Sequence, residues 1–258
     1  MRLVLHGLDN PRLQAAGMVV LATCALWLAT VFWMDGMGAH GAETCAGLTL
    51  EHITGSAAIW IVMMAAMMLP AAAPAVYMFA SFVARDSECH QPLQRTFVFA
   101  SGYLAVWTAV SIAFAMAQIV LGQSGVFLFG GTLAGPLGAG LLLLAAGLYE
   151  LTSLKQACLV RCRNPLTYLM GHWREGAAGA FRLGVGHGLH CVGCCIAMMG
   201  LMFVFGAMNL VWMALLTVWF VIEKIVPRAQ AVSRHAGFIL IGAGVLQTGA
   251  VLAGLWPA

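Results

Sequence analysis

Long apolar segments separated by short polar ones are the main pattern along this chain. Most of them reach the roughly 20 residues that an α-helix needs to cross the hydrocarbon core of a bilayer. A spanning segment must satisfy its backbone internally, so segments of this length predict helices. The predicted spans cover residues 13–34, 53–84, 97–121, 136–154, 183–206, 209–225 and 238–256. The pattern therefore predicts an all-α transmembrane helix bundle of seven spans, in a single domain over residues 1–258, with six spans as the alternative.

Composition agrees with this pattern. The chain is 62% hydrophobic and 8% charged, whereas soluble domains carry about 25% charged residues. The composition leaves no room for a sizeable soluble domain and makes the lipid bilayer the first expected partner. The net charge of +3 comes with no basic patch of the kind that binds nucleic acid.

The distribution of positive charge predicts an orientation. With the amino terminus in the cytoplasm, all 12 Lys and Arg residues lie in segments on the cytoplasmic side. Because short loops rich in Lys and Arg favour the cytoplasm, the charges predict a cytoplasmic amino terminus and an external carboxyl terminus. A six-span arrangement would break this alternation.

The densest group of potential metal ligands lies between residues 187 and 202, at the start of the fifth predicted span. Thiols, thioethers and imidazoles at this density suit Cu(I) first, then zinc or iron. Side chains three or four residues apart share a helical face. The ligands on this face are His187, His190, Cys191, Cys194, Cys195, Met198 and Met202. Two alternatives stay open: a packed seam of Cys and Gly, and a redox-active pair, because Cys191 and Cys194 form a CxxC motif.

A second cysteine pair follows the fourth predicted span. Cys158 and Cys162 form a CxxxC motif at the same predicted depth as the first cluster. The neighbouring Arg161 and Arg163 would favour the thiolate forms. The pair is thus a candidate source of two further ligands.

The second predicted span contains a methionine-rich stretch. It holds Met63, Met64, Met67 and Met68, followed by Pro70 and Pro74. Met64 and Met68 share one helical face, as a ladder of thioethers for Cu(I) would require. The prolines would bend the helix and free backbone carbonyls, as at many transport sites. Ordinary core packing by flexible methionine side chains is the alternative.

Two acidic residues lie inside predicted spans, toward their inner ends. Intramembrane carboxylates are costly and often functional, so Glu150 and Glu223 are candidate metal ligands. The alternative for Glu223 is an ion pair with the adjacent Lys224. The alternatives for Glu150 are a hydrogen bond accepted from a ligating His, or an ion pair with Arg161 or Lys155.

The first external loop is the one outside segment with ligand chemistry. Met34, Met37 and His40 have the MxxMxxH spacing of a capture site for copper. A flexible glycine-rich loop is the alternative interpretation.

Four segments carry a family resemblance. They read WIVMMAAMMLPAAAP at 60–74, KQACLVRCRNP at 155–165, GVGHGLHCVGCCIAMM at 184–199 and GAMNLVWMALLTVWFVIEKIVP at 206–227. In these segments the chain resembles the bacterial family of predicted metal-binding integral membrane proteins, with its GxxCxGCC and EKxxP motifs. Ile196 stands where that family often has a bulky aromatic residue. The resemblance implies metal binding in a multi-pass protein of the bacterial inner membrane.

Together these observations favour copper handling. The chain would bind Cu(I) and transport it, or deliver it to a membrane cuproenzyme, with a metallochaperone or a membrane complex as partner. The alternatives are an accessory or structural subunit of a larger membrane complex, and a transmembrane thiol–disulfide relay. The sequence contains no P-loop motif, so ATP-driven transport by this chain is not expected. An enzymatic activity is not predicted.

Overall fold

The computed structural model describes residues 10–40, 49–85, 91–123, 127–128, 132–133, 135–206 and 209–255. These residues form an α-helical bundle, with one antiparallel pair of two-residue strands. Each of the seven predicted spans contains a helix. The all-α fold class is therefore confirmed.

The helices follow one another with short connections. The elements are α1 (Pro11–His40), α2 (Leu50–Val83), α3 (Pro92–Gln123), β1 (Phe127–Leu128), β2 (Thr132–Leu133), α4 (Pro136–Glu150), α5 (Ser153–Arg163), α6 (Pro165–Gly171), α7 (Gly176–Gly200), α8 (Met202–Phe205), α9 (Leu210–Ile225) and α10 (Ala229–Leu252). In the strand pair, Phe127 lies opposite Leu133 and Leu128 opposite Thr132.

Five helical segments are long and apolar enough to cross a membrane. They are Pro11–Trp33, Leu50–Val83, Pro92–Gly122, Gly176–Phe205 and Ala229–Leu252. Helices α4 and α5 together could form a sixth. Helix α9 has 16 residues, fewer than the roughly 20 of a typical span. The described part of the chain therefore offers five or six spans, and the seventh stays a prediction.

The predicted span over residues 136–154 is not one straight helix. Helix α4 ends at Glu150, and α5 begins at Ser153 with its axis turned by 62°. The Thr152 hydroxyl accepts a hydrogen bond from the Lys155 backbone N–H at 3.3 Å and so caps α5. A capping residue of this type favours a new helix start, and the bend turns α5 against α7.

Helix α2 forms much of the core, in contact with α1, α3 and α9. Its two internal prolines interrupt the backbone ladder, because each lacks the N–H that would reach the carbonyl four residues earlier. For Pro70 that carbonyl belongs to Ala66, and it accepts a hydrogen bond from the Trp27 indole N–H at 3.2 Å instead. The freed carbonyl thus joins α1 to α2.

Close backbone contact joins α3 to α7. A Cβ atom added to Gly184 would lie 2.0 Å from the Phe99 carbonyl oxygen, and one added to Gly102 would lie 2.3 Å from that of Phe181. Small residues allow helices to approach in this way. The approach brings Tyr103 of α3 against Cys191 of α7.

Candidate metal centre

Three cysteine side chains of α7 converge in the core of the bundle. Cys191, Cys194 and Cys195 follow the spacing of three and four residues that places side chains on one helical face. All three are buried, and their Sγ atoms lie within 4.8 Å of one another. The Sγ atoms of Cys194 and Cys195 are 3.3 Å apart. We refer to these three residues as the cysteine cluster.

Helix α5 adds a fourth thiol. The Sγ atom of Cys162 lies 3.8 Å from that of Cys194, and its side chain is 5% exposed. Among the described cysteines none forms a disulfide. The structure therefore brings Cys162 to the cysteine cluster, as the CxxxC motif predicted for this pair.

Cys158 lies one helical turn earlier, at the edge of the same contact between α5 and α7. Its side chain is partly exposed. A Cβ atom added to Gly193 would lie 2.5 Å from the Cys158 Sγ atom, so a larger residue there would displace this thiol. The Tyr149 hydroxyl donates to the Gly193 carbonyl at 2.6 Å and holds the same turn of α7.

Cys191 has two polar partners from other helices. The Lys224 ammonium of α9 lies 2.9 Å from its Sγ atom, and the Tyr103 hydroxyl of α3 lies 3.2 Å from it. The Tyr103 hydroxyl also lies 3.0 Å from the Met68 carbonyl of α2, to which it donates. An ammonium group at this distance favours a thiolate over a thiol. Cys191 is thus the thiol best placed to carry negative charge.

The buried acids pair with Lys155 of α5. Its ammonium forms ion pairs with Glu150 and with Glu223, the latter at 2.7 Å, and all three side chains are at most 1% exposed. The Ser233 hydroxyl of α10 donates to Glu150 at 2.7 Å. Each buried charge here has a partner of opposite sign, and removal of one partner would leave an uncompensated charge. Glu223 therefore pairs with Lys155 and not with the adjacent Lys224. The Lys224 ammonium contacts the Cys191 sulfur atom.

The two candidate histidines occupy different surroundings. His187 is buried against the rings of Tyr103, at 5.7 Å between centroids, and Phe99, at 6.2 Å. The Nε2 atom of His190 lies 2.8 Å from an Arg161 guanidinium nitrogen, and its Nδ1 atom lies 2.6 Å from the Gly186 carbonyl. Both ring nitrogens of His190 are engaged, so it would bind metal only after one of these contacts breaks.

The candidate methionines divide into two groups. Met64 and Met68 of α2 and Met198 of α7 are buried in the same hydrophobic core as the cysteine cluster. The external candidates, Met34, Met37 and His40, fall in the last turns of α1, where their side chains lie outside the described residues. Met64, Met68 and Met198 thus share the core with the cysteine cluster, and their role as ligands, like the capture site, stays a prediction.

The cysteine cluster has the spacing of a soft-metal site. A zinc–thiolate bond is about 2.3 Å long, which places three sulfur atoms around one ion about 4 Å apart. Within the described chain, the cysteine cluster is the one group of three or more His, Cys, Asp and Glu side chains at metal-binding separation. Neither Glu150 nor Glu223 belongs to it. An all-sulfur set selects Cu(I), zinc or iron–sulfur centres over hard cations.

Two residues of the site were missed by the sequence analysis. Lys224 was considered only as a partner for Glu223, and Tyr103 was not considered. A signal for Lys224 was present, because a lysine at the end of a strongly apolar helix needs a counter-charge. Tyr103 gave no signal of its own, since a tyrosine in an apolar helix is common.

Comparison with known families adds an independent finding. A family described as PpoB2, copper chaperone, matches residues 57–247. The match includes the methionine-rich stretch, both cysteine motifs and α9. No curated protein and no solved structure matches the chain. The match agrees with the metal-binding class that the sequence resemblance implied, under a different family description.

Proposed function

This chain belongs to the PpoB2 copper chaperone family, and from that membership we propose that its cysteine cluster binds Cu(I) and passes it to a partner protein. The observation that carries the proposal is the convergence of three buried Sγ atoms within 4.8 Å. Cu(I) is a soft ion that prefers sulfur ligands. Zinc and iron are the alternative ions for the same ligand set.

The ligands would be Cys191, Cys194 and Cys195, with Cys162 as the incoming fourth. The distance of 3.8 Å between the Cys162 and Cys194 sulfur atoms is short enough for both to contact one ion. An ion that exchanges one sulfur for another is never stripped of all its ligands, and weak, multi-site binding of this kind is what permits release. Lys224 would offset part of the negative charge of the thiolates.

Cu(I) would leave the cysteine cluster by passing along α5. Cys158 lies one turn from Cys162 and is partly exposed, so it is the natural last ligand before a metallochaperone or a membrane cuproenzyme. The buried thioethers of Met64 and Met68 would supply further ligands from α2. Met34, Met37 and His40 would capture copper at the external end.

The site would lie in a membrane. Large apolar side chains cover the outward faces of α1 and α10, among them Leu21, Phe32, Ile239 and Leu246. Such faces suit contact with lipid. The complete proposal is a multi-pass protein of the bacterial inner membrane with seven spans, a cytoplasmic amino terminus and the cysteines in the inner half of the bilayer.

A thiol–disulfide relay is the second candidate function. The approach of Cys162 to Cys194 favours it, because a small movement would bring the two sulfur atoms to bonding distance. The relay predicts reversible oxidation of this pair and no need for bound metal.

Copper content tests the proposal. We expect detergent-purified protein reconstituted with Cu(I) to retain about one ion per chain, and the Cys191→Ser/Cys194→Ser/Cys195→Ser variant to retain none, because a hydroxyl is a poor ligand for a soft ion. Elemental analysis after gel filtration measures both. Cys24→Ser is the matched control, since Cys24 is an exposed cysteine of α1.

Two outcomes would contradict copper binding at this site. Equal copper content in the wild-type protein and the triple variant would place the ion elsewhere. A wild-type protein without stoichiometric copper, zinc or iron, but with a reversible Cys162–Cys194 disulfide in mass spectra, would favour the relay.

A further inference from the structure

A cavity separate from the cysteine cluster lies where the end of α5 meets the start of α10. Its volume is about 510 Å³, and its lining includes Arg163, Pro227, Arg228, Arg234, His235 and Phe238. Helix α10 begins at Ala229, directly after Arg228. The cavity therefore collects basic side chains from two elements that are far apart in sequence.

The charge of this cavity is unbalanced. Three guanidinium groups and one imidazole line it, and no acidic side chain is among its lining residues. Among the described residues, no carboxylate forms an ion pair with Arg228 or Arg234; the ion pairs there centre on Lys155. Arg228, Arg234 and His235 are exposed, so they are accessible to a ligand from solution or from the membrane surface. Their shared positive charge makes the cavity suitable for an anion.

Arg163 is held in position for such a ligand. One of its terminal nitrogens donates to the Val226 carbonyl at 2.5 Å, which fixes the guanidinium against the turn before α10. Its Nε atom is buried and has no hydrogen-bond partner. A buried donor without a partner costs free energy, and an anion oxygen would remove that cost. The Arg163 guanidinium is thus fixed in position, while its Nε donor has no hydrogen-bond acceptor.

The chemistry of the lining selects the class of anion. The planar guanidinium matches the paired oxygens of a phosphate group, with two parallel hydrogen bonds. The amino-terminal end of α10 adds the favourable partial charge of a helix dipole. Phe238 is largely exposed and apolar, and Pro227 lies beside it. The site thus combines a phosphate-binding centre with an apolar rim.

We propose that this cavity binds a phosphate-bearing anion, supplied by the headgroup of an anionic phospholipid or by free phosphate. The lipid source rests on the proposed membrane placement, in which the turn between α9 and α10 lies at the cytoplasmic surface. Basic pockets between helices on that side bind anionic headgroups. The apolar rim would then contact the first part of an acyl chain.

Arg228 and Arg234 are the residues to change, because neither adjoins a cysteine, whereas Arg163 directly follows Cys162. The test variant is Arg228→Gln/Arg234→Gln. The matched control is Arg174→Gln/Arg182→Gln, which removes two exposed arginines outside the cavity. Arg228→Lys/Arg234→Lys keeps the positive charge but loses the planar guanidinium groups. We expect its affinity for the anion to lie between those of the wild-type protein and the glutamine variant.

Native mass spectrometry of the detergent-purified full chain measures the binding of phospholipids. With added dioleoyl phosphatidylglycerol we expect one retained lipid per chain, in preference to dioleoyl phosphatidylcholine. Loss of two basic side chains should weaken phosphatidylglycerol binding by about 30-fold. The control variant should retain the wild-type affinity.

Inorganic phosphate supplies the second arm, by calorimetric titration of the same four proteins. Binding of phosphate alone, dependent on Arg228 and Arg234, would identify free phosphate as the source; phosphatidylglycerol binding without phosphate binding would identify lipid. Equal binding by the wild-type protein and the glutamine variant in both arms would overturn the proposal. Copper content should be the same in every variant, so failure of copper binding is distinguishable from failure here.

Discussion

Cys191 is the residue at which the parts of the candidate centre meet. Its sulfur belongs to the cysteine cluster and also contacts the Lys224 ammonium and the Tyr103 hydroxyl. Each partner comes from a different helix. A thiolate at this point would be stabilised before any metal arrives, because a positive charge lies within hydrogen-bonding distance. Metal binding at the proposed site would then replace part of an existing ionic contact.

We expect Lys224→Met to weaken Cu(I) binding by about 10- to 100-fold, the range typical of residues that support metal ligands without binding the metal. The loss follows from removing the positive charge that offsets the thiolates. Competition against the chromogenic Cu(I) ligand bicinchoninate measures the affinity. Lys224→Arg, which keeps the charge, should retain most of it. Unchanged affinity in Lys224→Met would mean that the contact with Cys191 is only structural.

For individual residues, the sequence predicted that the residues of the cysteine cluster share a face but not which polar groups contact them. The spacing of Cys191, Cys194 and Cys195 places them on one face whatever the rest of the fold. The partner of Lys224 depends on the rotation of α9. Neighbouring helical residues point about 100° apart, so Glu223 and Lys224 reach α5 and α7 respectively instead of each other.

Among the elements, the bent pair α4 and α5 does most to shape the site. The bend lets α5 lie against α7 and brings Cys158 and Cys162 to the cysteine cluster. Hydropathy alone predicted a continuous span over residues 136–154. Hydropathy reports the apolar content of a segment and does not detect a residue that caps a new helix. The Thr152-Ser153 pair at the bend is a helix-start signal that the apolar pattern outweighed.

Lys155 holds this bend in place through Glu150 of α4 and Glu223 of α9. We expect Lys155→Met to destabilise the bundle by about 3–5 kcal/mol, the cost of leaving buried charge without its partner. Thermal unfolding in detergent, followed by circular dichroism, measures the effect.

The matched control removes all three charges together. Glu150→Gln/Lys155→Met/Glu223→Gln should recover most of the lost stability, because replacing a whole buried ion-pair group is often neutral. If Lys155→Met alone unfolds at the wild-type temperature, the ion pairs do not hold α4, α5 and α9 together.

For the whole molecule, the graded exposure of the cysteines gives a test of orientation. Cys158 is partly exposed, whereas Cys162 and the cysteine cluster are buried. With the amino terminus in the cytoplasm, the accessible thiol of α5 faces the cytoplasm. The helical bundle was predictable from sequence because long apolar segments have few structural solutions in lipid. The number of spans was less predictable, because short helices such as α9 lie near the limit of spanning length.

We expect a membrane-impermeant maleimide to label Cys158 from the cytoplasmic side only. The reagent should react in inverted inner-membrane vesicles and not in intact spheroplasts. A background of Cys24→Ser/Cys45→Ser/Cys89→Ser removes the three cysteines that do not belong to the CxxxC motif or to the segment 191–195, and Cys158→Ser in that background is the control. Labelling in intact spheroplasts would reverse the proposed orientation.

The ion pairs of Lys155 also have a consequence for how the chain is made. Glu150 and Lys155 leave the ribosome close together and can neutralise each other at once, whereas Glu223 follows only after α7 has been synthesised. Charged side chains are costly in hydrocarbon, so we expect the bend between α4 and α5 to stay near the membrane surface until α9 has been synthesised. The proposed copper site would therefore gain the positive charge of Lys224 beside Cys191 only after α9 has been synthesised.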